Sequence, residues 1–215
     1  MRICALFAFI ITACWEFSHA QVEDFHSTNF SKADSVAGMY AAHSLYDLRG
    51  LAVKLTAPLS SEQEKFRAIY KWVCSNIEVD YNLVVLNKRQ RAKLHGEKFL
   101  KWSEKFNRAV FEKLLQDRQT LCTGYAYTIR ALCFHAGLSC EIIYGYANPR
   151  GVAMVELPSV NHSWNKIRLN GKWYVCDATW SSGIVNPSSR QFIKRYNDKY
   201  FLPDPSVFAI DHASF

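Results

Sequence analysis

The sequence contains no Cys-x-x-Cys pair. That spacing marks zinc ribbons and thioredoxin-like redox sites, so neither is indicated. A metal site would have to draw on Cys122, Cys133, Cys140 and His162, whose spacing fits no usual ligand set. No apolar run is long enough to cross a bilayer. The longest, Ile3 to Ala13, has eleven residues, against the roughly 20 that a spanning helix needs. There is no internal repeat, no low-complexity tract and no recognised nucleic-acid motif, so nucleic acid is not an expected partner. Acidic residues are outnumbered 19 to 26, which leaves a formal charge of +7.

What is present suits one globular domain. The chain has 215 residues, 49% of them apolar and 14% aromatic, enough to bury a sizeable core. Residues 1–20 stand apart. Arg2 supplies a positive start, Ile3 to Ala13 an apolar stretch, and Ser18-His19-Ala20 small residues before a cleavage point. This pattern predicts a signal peptide, a mature start near Gln21 and an exported, periplasmic or secreted protein. Ile11-Thr12-Ala13-Cys14 also fits a lipobox, which would lipidate Cys14 instead.

Cleavage would leave five cysteines: Cys74, Cys122, Cys133, Cys140 and Cys176. In an oxidising compartment an odd number leaves at least one free thiol, a candidate nucleophile. The other four could form two disulfides or stay as small buried hydrophobes. A chain of this size does not need such staples. The positive charge is concentrated. Residues 88–118 carry ten Lys or Arg against four Asp or Glu, net +6. Such a segment is either a solvated helix face or a surface for an acidic partner.

Periodicity predicts helices first. Asp34 to Lys54 has helical spacing, with Asp34 placed to cap it. Ser61-x-x-Glu64 is a capping box before a helix over Glu62 to Ile77. Lys88 to Gln116 carries the stripe Phe99, Trp102, Phe106, Val110 and Leu114, with Gly96 a possible break. Leu121 to His135 is helical, stopped by Gly137. Strands follow at Cys140 to Tyr146, His162 to Leu169 and Lys172 to Asp177, the last two joined by an Asn170-Gly171 hairpin turn. Helices followed by strands predict an α+β fold.

Three residues in this layout suggest chemistry. Cys122 begins a helix, where unsatisfied amides and the helix dipole favour a thiolate. Its own amide could donate to a developing oxyanion. His162 opens a strand and Asp177 ends the next. Counted outward from the turn, Asp177 is a diagonal neighbour of His162 on the same face. A thiol, a base and an orienting acid form the set used for nucleophilic acyl transfer.

Leu121-Cys122-Thr123-Gly124-Tyr125-Ala126 resembles the cysteine motif of the transglutaminase-like superfamily. His162-Ser163-Trp164-Asn165 and Asp177-Ala178-Thr179-Trp180 resemble its histidine and aspartate motifs, in the same order. Glu64 to Val73, and Tyr200-Phe201-Leu202 with Pro205 and His212, are similar to kyphoscoliosis-peptidase-like members. The resemblance covers roughly residues 45–215. It implies a papain-like core, with a cysteine-bearing helix on an antiparallel sheet. It also implies a Cys122–His162–Asp177 triad and a thioester intermediate on a protein or peptide substrate, with no cofactor. Hydrolysis and transamidation are both open, as is a non-catalytic protein- or cell-wall-binding module on the same fold. The implied organisation is a signal peptide (1–20), a lead-in and helix (21–44) and the domain (45–215) with a basic helical insertion (86–118). Trp72, Tyr81 and Asn82 are candidates for a second oxyanion donor. Trp164 and Trp180 are expected to pack the sheet. Thr120 departs from the motif, standing where glycine is common.

Overall fold

The computed structural model describes residues 23–25, 27–148, 160–186 and 188–214. The expected signal peptide (1–20) and the lipobox Cys14 lie outside these residues. The expected single helix over 34–54 is two: α1 (Ser31–Met39) and α2 (Leu48–Thr56). The chain turns between them because Asp47 starts a new helix, its carboxylate accepting from Gly50 N at 2.8 Å. A Cβ on Gly50 would sit 2.0 Å from that carboxylate, so glycine makes room for the cap. Asp34 is therefore not a cap. It lies in the first turn of α1 and binds Arg67, its Oδ1 2.6 Å from Nε.

The core is built on α3 (Glu62–Asn76). Ser61 and Glu64 make the expected capping box, each accepting from the other's backbone N–H at 3.2 Å. Phe66, Ile69, Tyr70, Trp72 and Val73 are fully buried, each such side chain contributing about 1.5–3 kcal/mol by leaving water. Arg67 is buried with them. It pairs with Asp34 and Asp198, and its guanidinium lies 4.7 Å from the Phe201 ring centre. Arg67→Ala removes this packing and both ion pairs, while Asp34 and Asp198 keep access to water. It is thus expected to destabilise the fold by about 1–3 kcal/mol, read by urea denaturation.

A two-stranded parallel ribbon then sets the geometry of the site. β1 (Glu78–Val79) pairs with β2 (Gln119–Thr120), Val79 opposite Thr120. Between them the chain makes an excursion through α4 (Tyr81–Lys93) and α5 (Gly96–Asp117). The basic segment is therefore two helices, α4 starting earlier than its charges suggest because Asp80 caps it (Leu83 N to Oδ1, 3.0 Å). The break falls at Leu94-His95, and Gly96 takes φ +53°. Phe106, Val110 and Leu114 bury the α5 stripe, with Trp102 stacked on Phe106 at 4.6 Å.

α6 (Cys122–His135) follows directly on β2 and ends as expected, with Gly137 at φ +74°. It packs against an antiparallel sheet of β3 (Cys140–Ala147), β4 (His162–Leu169), β5 (Lys172–Cys176) and β8 (His212–Ser214), in the order β5-β4-β3-β8. Asn170 and Gly171 both have positive φ, 49° and 85°, as the tight hairpin requires. Between β5 and β8 lie α7 (Ala178–Ser182), the hairpin of β6 (Gly183–Asn186) and β7 (Gln191–Lys194), and α8 (Pro205–Phe208). The result is the expected α+β layout. No helix among the described residues is long and apolar enough to cross a membrane.

Candidate active site

Two local packing features bring the helix and the sheet into register. Asn165 on β4 is buried, and its Nδ2 donates to Ala126 O of α6 at 3.0 Å. Thr120, the motif departure, is fully buried against Gly124; a Cβ there would lie 2.0 Å from the threonine Oγ1. Gly124 is thus the space that Thr120 fills. Together these fix the start of α6, and Cys122 with it, beside the first residue of β4. Leu121 offers no side-chain cap, so the first amides of α6 are not taken by a capping group.

Cys122, His162 and Asp177 come together. Cys122 and His162 border one cleft, close enough for each to act electrostatically on the other. The His162 Nε2 donates to Asp177 Oδ2 at 2.7 Å. The expected strand geometry holds as far as Asn165 opposite Cys176. There the chain departs from expectation, because β5 stops before Asp177 and Thr179 is helical rather than paired with His162. Asp177 is instead the N-cap of α7, its Oδ1 accepting from Thr179 N and Trp180 N at 2.8 and 3.2 Å. One oxygen is spent on the helix and the other faces His162, so the carboxylate is held from both ends.

His212 completes the arrangement. Its ring is fully buried, stacked on Phe208 at 4.0 Å and 4.5 Å from Trp180. Its Nε2 lies 3.2 Å from Asp177 Oδ2, the same oxygen that His162 uses, and its Nδ1 lies 2.7 Å from Asp211 Oδ1. Asp211 Oδ2 in turn accepts from the Tyr200 hydroxyl at 2.7 Å. Sequence reasoning placed His212 only in a C-terminal tail. Its role as a second partner of Asp177, 35 residues away, has no local pattern to announce it. Ser163 was missed as well. Its backbone amide favours the Cys122 thiolate, while its buried Oγ has no hydrogen-bond partner among the described residues.

The electrostatics follow from this packing. Burial alone would push the Cys122 thiol up, but the neighbouring His162 cation, its hydrogen bond and Ser163 outweigh it and bring the thiol down to about 7. Burial would lower His162, yet Asp177 and the Cys122 thiolate carry it up to about 10. Asp177 is held far below the usual carboxylate range by the two histidines, against its burial. His162 is therefore protonated through neutral pH, and about half of the Cys122 thiol is ionised at pH 7. Iodoacetamide should alkylate Cys122 with a midpoint near pH 7, below the roughly 8.5 of a free thiol. Mass spectrometry of the Cys122 peptide across pH checks this, and a midpoint at or above 8.5 contradicts the ion pair.

The remaining sequence candidates are placed elsewhere. Trp72 is fully buried and donates Nε1–H to Tyr40 O at 2.8 Å, so it is not available as an oxyanion donor. Trp164 packs in the core behind His162 as expected, whereas Trp180 also lines the cleft above the triad. Tyr81 and Asn82 are not among the residues lining that cleft. Cys133 lies eleven residues along α6 from Cys122, about 16 Å by helical rise. It is buried against Cys140, so the four-residue metal set is split. Among the described residues one group has metal-ligand atoms within 4.8 Å of one another: His162, Asp177 and His212. Their mutual hydrogen bonds already engage the facing nitrogens. All five cysteines of the described residues are free thiols.

A cleft of about 1370 Å³ opens over Cys122 and His162, bordered by α4, α7, the β6–β7 hairpin and Val160-Asn161. The sequence profile of the transglutaminase-like superfamily matches residues 49–178. The chain is 31% identical to mouse (Mus musculus) kyphoscoliosis peptidase over 185 residues, which is 85% of this chain and 25% of that protein. It is 30% identical to the human (Homo sapiens) form over 200 residues, 92% of this chain and 27% of that protein. It thus spans about a quarter of the length of these relatives. A solved structure described as a TGase superposes with a TM-score of 0.46 at 17% identity, covering 89% of this chain and 39% of the other. With its profile match extending over more than half its length, this chain belongs to the transglutaminase-like superfamily.

Proposed function

We propose that the protein is a thiol acyl-transfer enzyme acting on peptide or carboxamide bonds, with Cys122 as nucleophile, His162 as acid and base, and Asp177 as the orienting carboxylate. The observation that carries this is a thiol beside an imidazole that is itself hydrogen-bonded to a carboxylate fixed on its far side.

The steps use only these groups. The Cys122 thiolate attacks the carbonyl carbon, and the oxyanion forms next to the first amides of α6. As the tetrahedral species collapses, the C–N bond breaks and His162 gives its proton to the leaving amine or ammonia. A thioester to Cys122 remains. In the second half His162, now neutral, takes a proton from the incoming nucleophile. Water then yields the free acid and an amine yields a new amide, and in both cases the thiolate is restored. Asp177 keeps the Nε2 proton in place, so that Nδ1 faces the sulfur throughout.

The test is capture of the intermediate. Incubation with an activated acyl ester, acid quenching and peptide mapping should place the acyl mass on the peptide containing Cys122. Stoichiometric acylation of another residue, with Cys122 unmodified, would overturn the assignment.

A further inference from the structure

The cleft over Cys122 has two chemically distinct linings. The first comes from α4. Val84, Lys88 and Arg91 face the cleft, four and three residues apart along the helix, and so share one helical face, and His95 borders the cleft just past the helix end. The Arg91 guanidinium donates to Val160 O at 3.1 Å and to Asn87 Oδ1 at 3.2 Å, and lies over the Phe99 ring. None of these partners is charged, so its positive charge is held in place with no counter-ion among the described residues. Lys88 is exposed and has no ion pair among the described residues. Among the described residues the one carboxylate in the lining, Asp211, is already engaged by His212, Tyr200 and Lys199. The second lining is apolar. Ile184, Val185 and Phe192 of the β6–β7 hairpin border the same cleft, and Ile184 is 53% exposed.

We propose that this cleft selects an extended peptide that presents a carboxylate side chain to Lys88 and Arg91 and an apolar side chain to Ile184, Val185 and Phe192, both within reach of the carbonyl attacked by Cys122. The inference rests on the acyl-transfer chemistry proposed above and adds the substrate class. Charge complementarity commits the occupant. A fixed guanidinium and an ammonium with no ion pair among the described residues, side by side at the cleft wall, favour an anion and repel a cation. The hairpin then accounts for an apolar neighbour in the same peptide. The basic segment is thus not wholly a solvated face: one side of α4 looks into the reaction cleft.

The experiment uses the full protein and octapeptides with a central glutamine, which offers both a carboxamide and peptide bonds. Each flanking position is scanned with Glu, Ala, Lys and Leu, and acylation is followed by mass spectrometry, whichever nucleophile completes turnover. At one or more positions Glu should be preferred over Lys by about tenfold in kcat/KM, and the ratio should shrink in high salt. Lys88→Glu should bring the Glu-to-Lys ratio to one or below. Lys105→Glu, an exposed change on α5 away from the cleft, should leave the ratio as it is. Peptides that acylate Cys122 with Glu and Lys equal within twofold at every position would overturn this inference and leave the acyl-transfer proposal standing. A lowered ratio in Lys105→Glu equal to that in Lys88→Glu would also overturn it, because net charge and not the cleft would be acting. If none of the octapeptides acylates Cys122, both proposals fall.

Discussion

Cys122→Ala should fold normally and lose turnover by about 10⁴-fold or more, the scale set by removing a nucleophile from a cooperating triad. In the proposed mechanism the thiol forms the covalent bond. Ser163 is the nearest alternative by position, but its buried Oγ has no hydrogen-bond partner among the described residues, and so no base to activate it. Stability should change little. Cys122 is the first residue of α6 and only partly buried, and alanine is the best helix former. His162 keeps Asp177 as its counter-ion. Thermal unfolding should thus be within about 1 kcal/mol of the parent. Cys122→Ser adds a control of shape: it keeps the volume and a hydroxyl but has no accessible anion at neutral pH, so it should be nearly as inactive. Amidase or amine-exchange activity retained in Cys122→Ala would remove the sulfur from the mechanism.

Much of the site could be seen in the sequence because its determinants are local. Ser61 and Glu64 lie three residues apart and cap each other, so the start of α3 is written in four residues. Asn170-Gly171 specifies both positive φ values of the hairpin, and the hairpin carries the strand that ends one residue before Asp177. Other features depend on what the chain meets later. The single helix expected over 34–54 failed because Asp47 and Gly50 act as a start signal inside an apolar pattern that continues to either side. Asp34 looked like a cap, but Arg67, a residue 33 positions on, claims its carboxylate. His212 and Asp211 could not be placed by periodicity at all. They reach Asp177 because β8 joins the edge of the sheet beside β3, a pairing with no sequence signature of its own.

The identity of residue 177 is the second point of high sensitivity. Asp177→Asn should keep the fold and lower kcat by about 10³–10⁴-fold, as loss of the orienting carboxylate does in triads of this kind. Asparagine caps helices about as well as aspartate, so its Oδ1 can still accept from Thr179 N and Trp180 N. That leaves the amide NH₂ pointing at His162 Nε2 and His212 Nε2, where a carboxylate oxygen had been. Two donors cannot face each other, so His162 must present a bare Nε2 and carry its proton on Nδ1. Nδ1 is the nitrogen on the sulfur side and can then no longer accept the thiol proton. The same substitution removes the negative charge that raises His162, so the imidazolium beside Cys122 is lost and the thiol should move up toward its ordinary value near 9. The sign is definite: the alkylation midpoint rises, and less thiolate is present at neutral pH. Turnover at pH 7 and the pH profile of Cys122 alkylation measure the two effects separately. A variant that kept activity within tenfold, or whose alkylation midpoint stayed near 7, would show that Asp177 serves the start of α7 rather than the chemistry of His162.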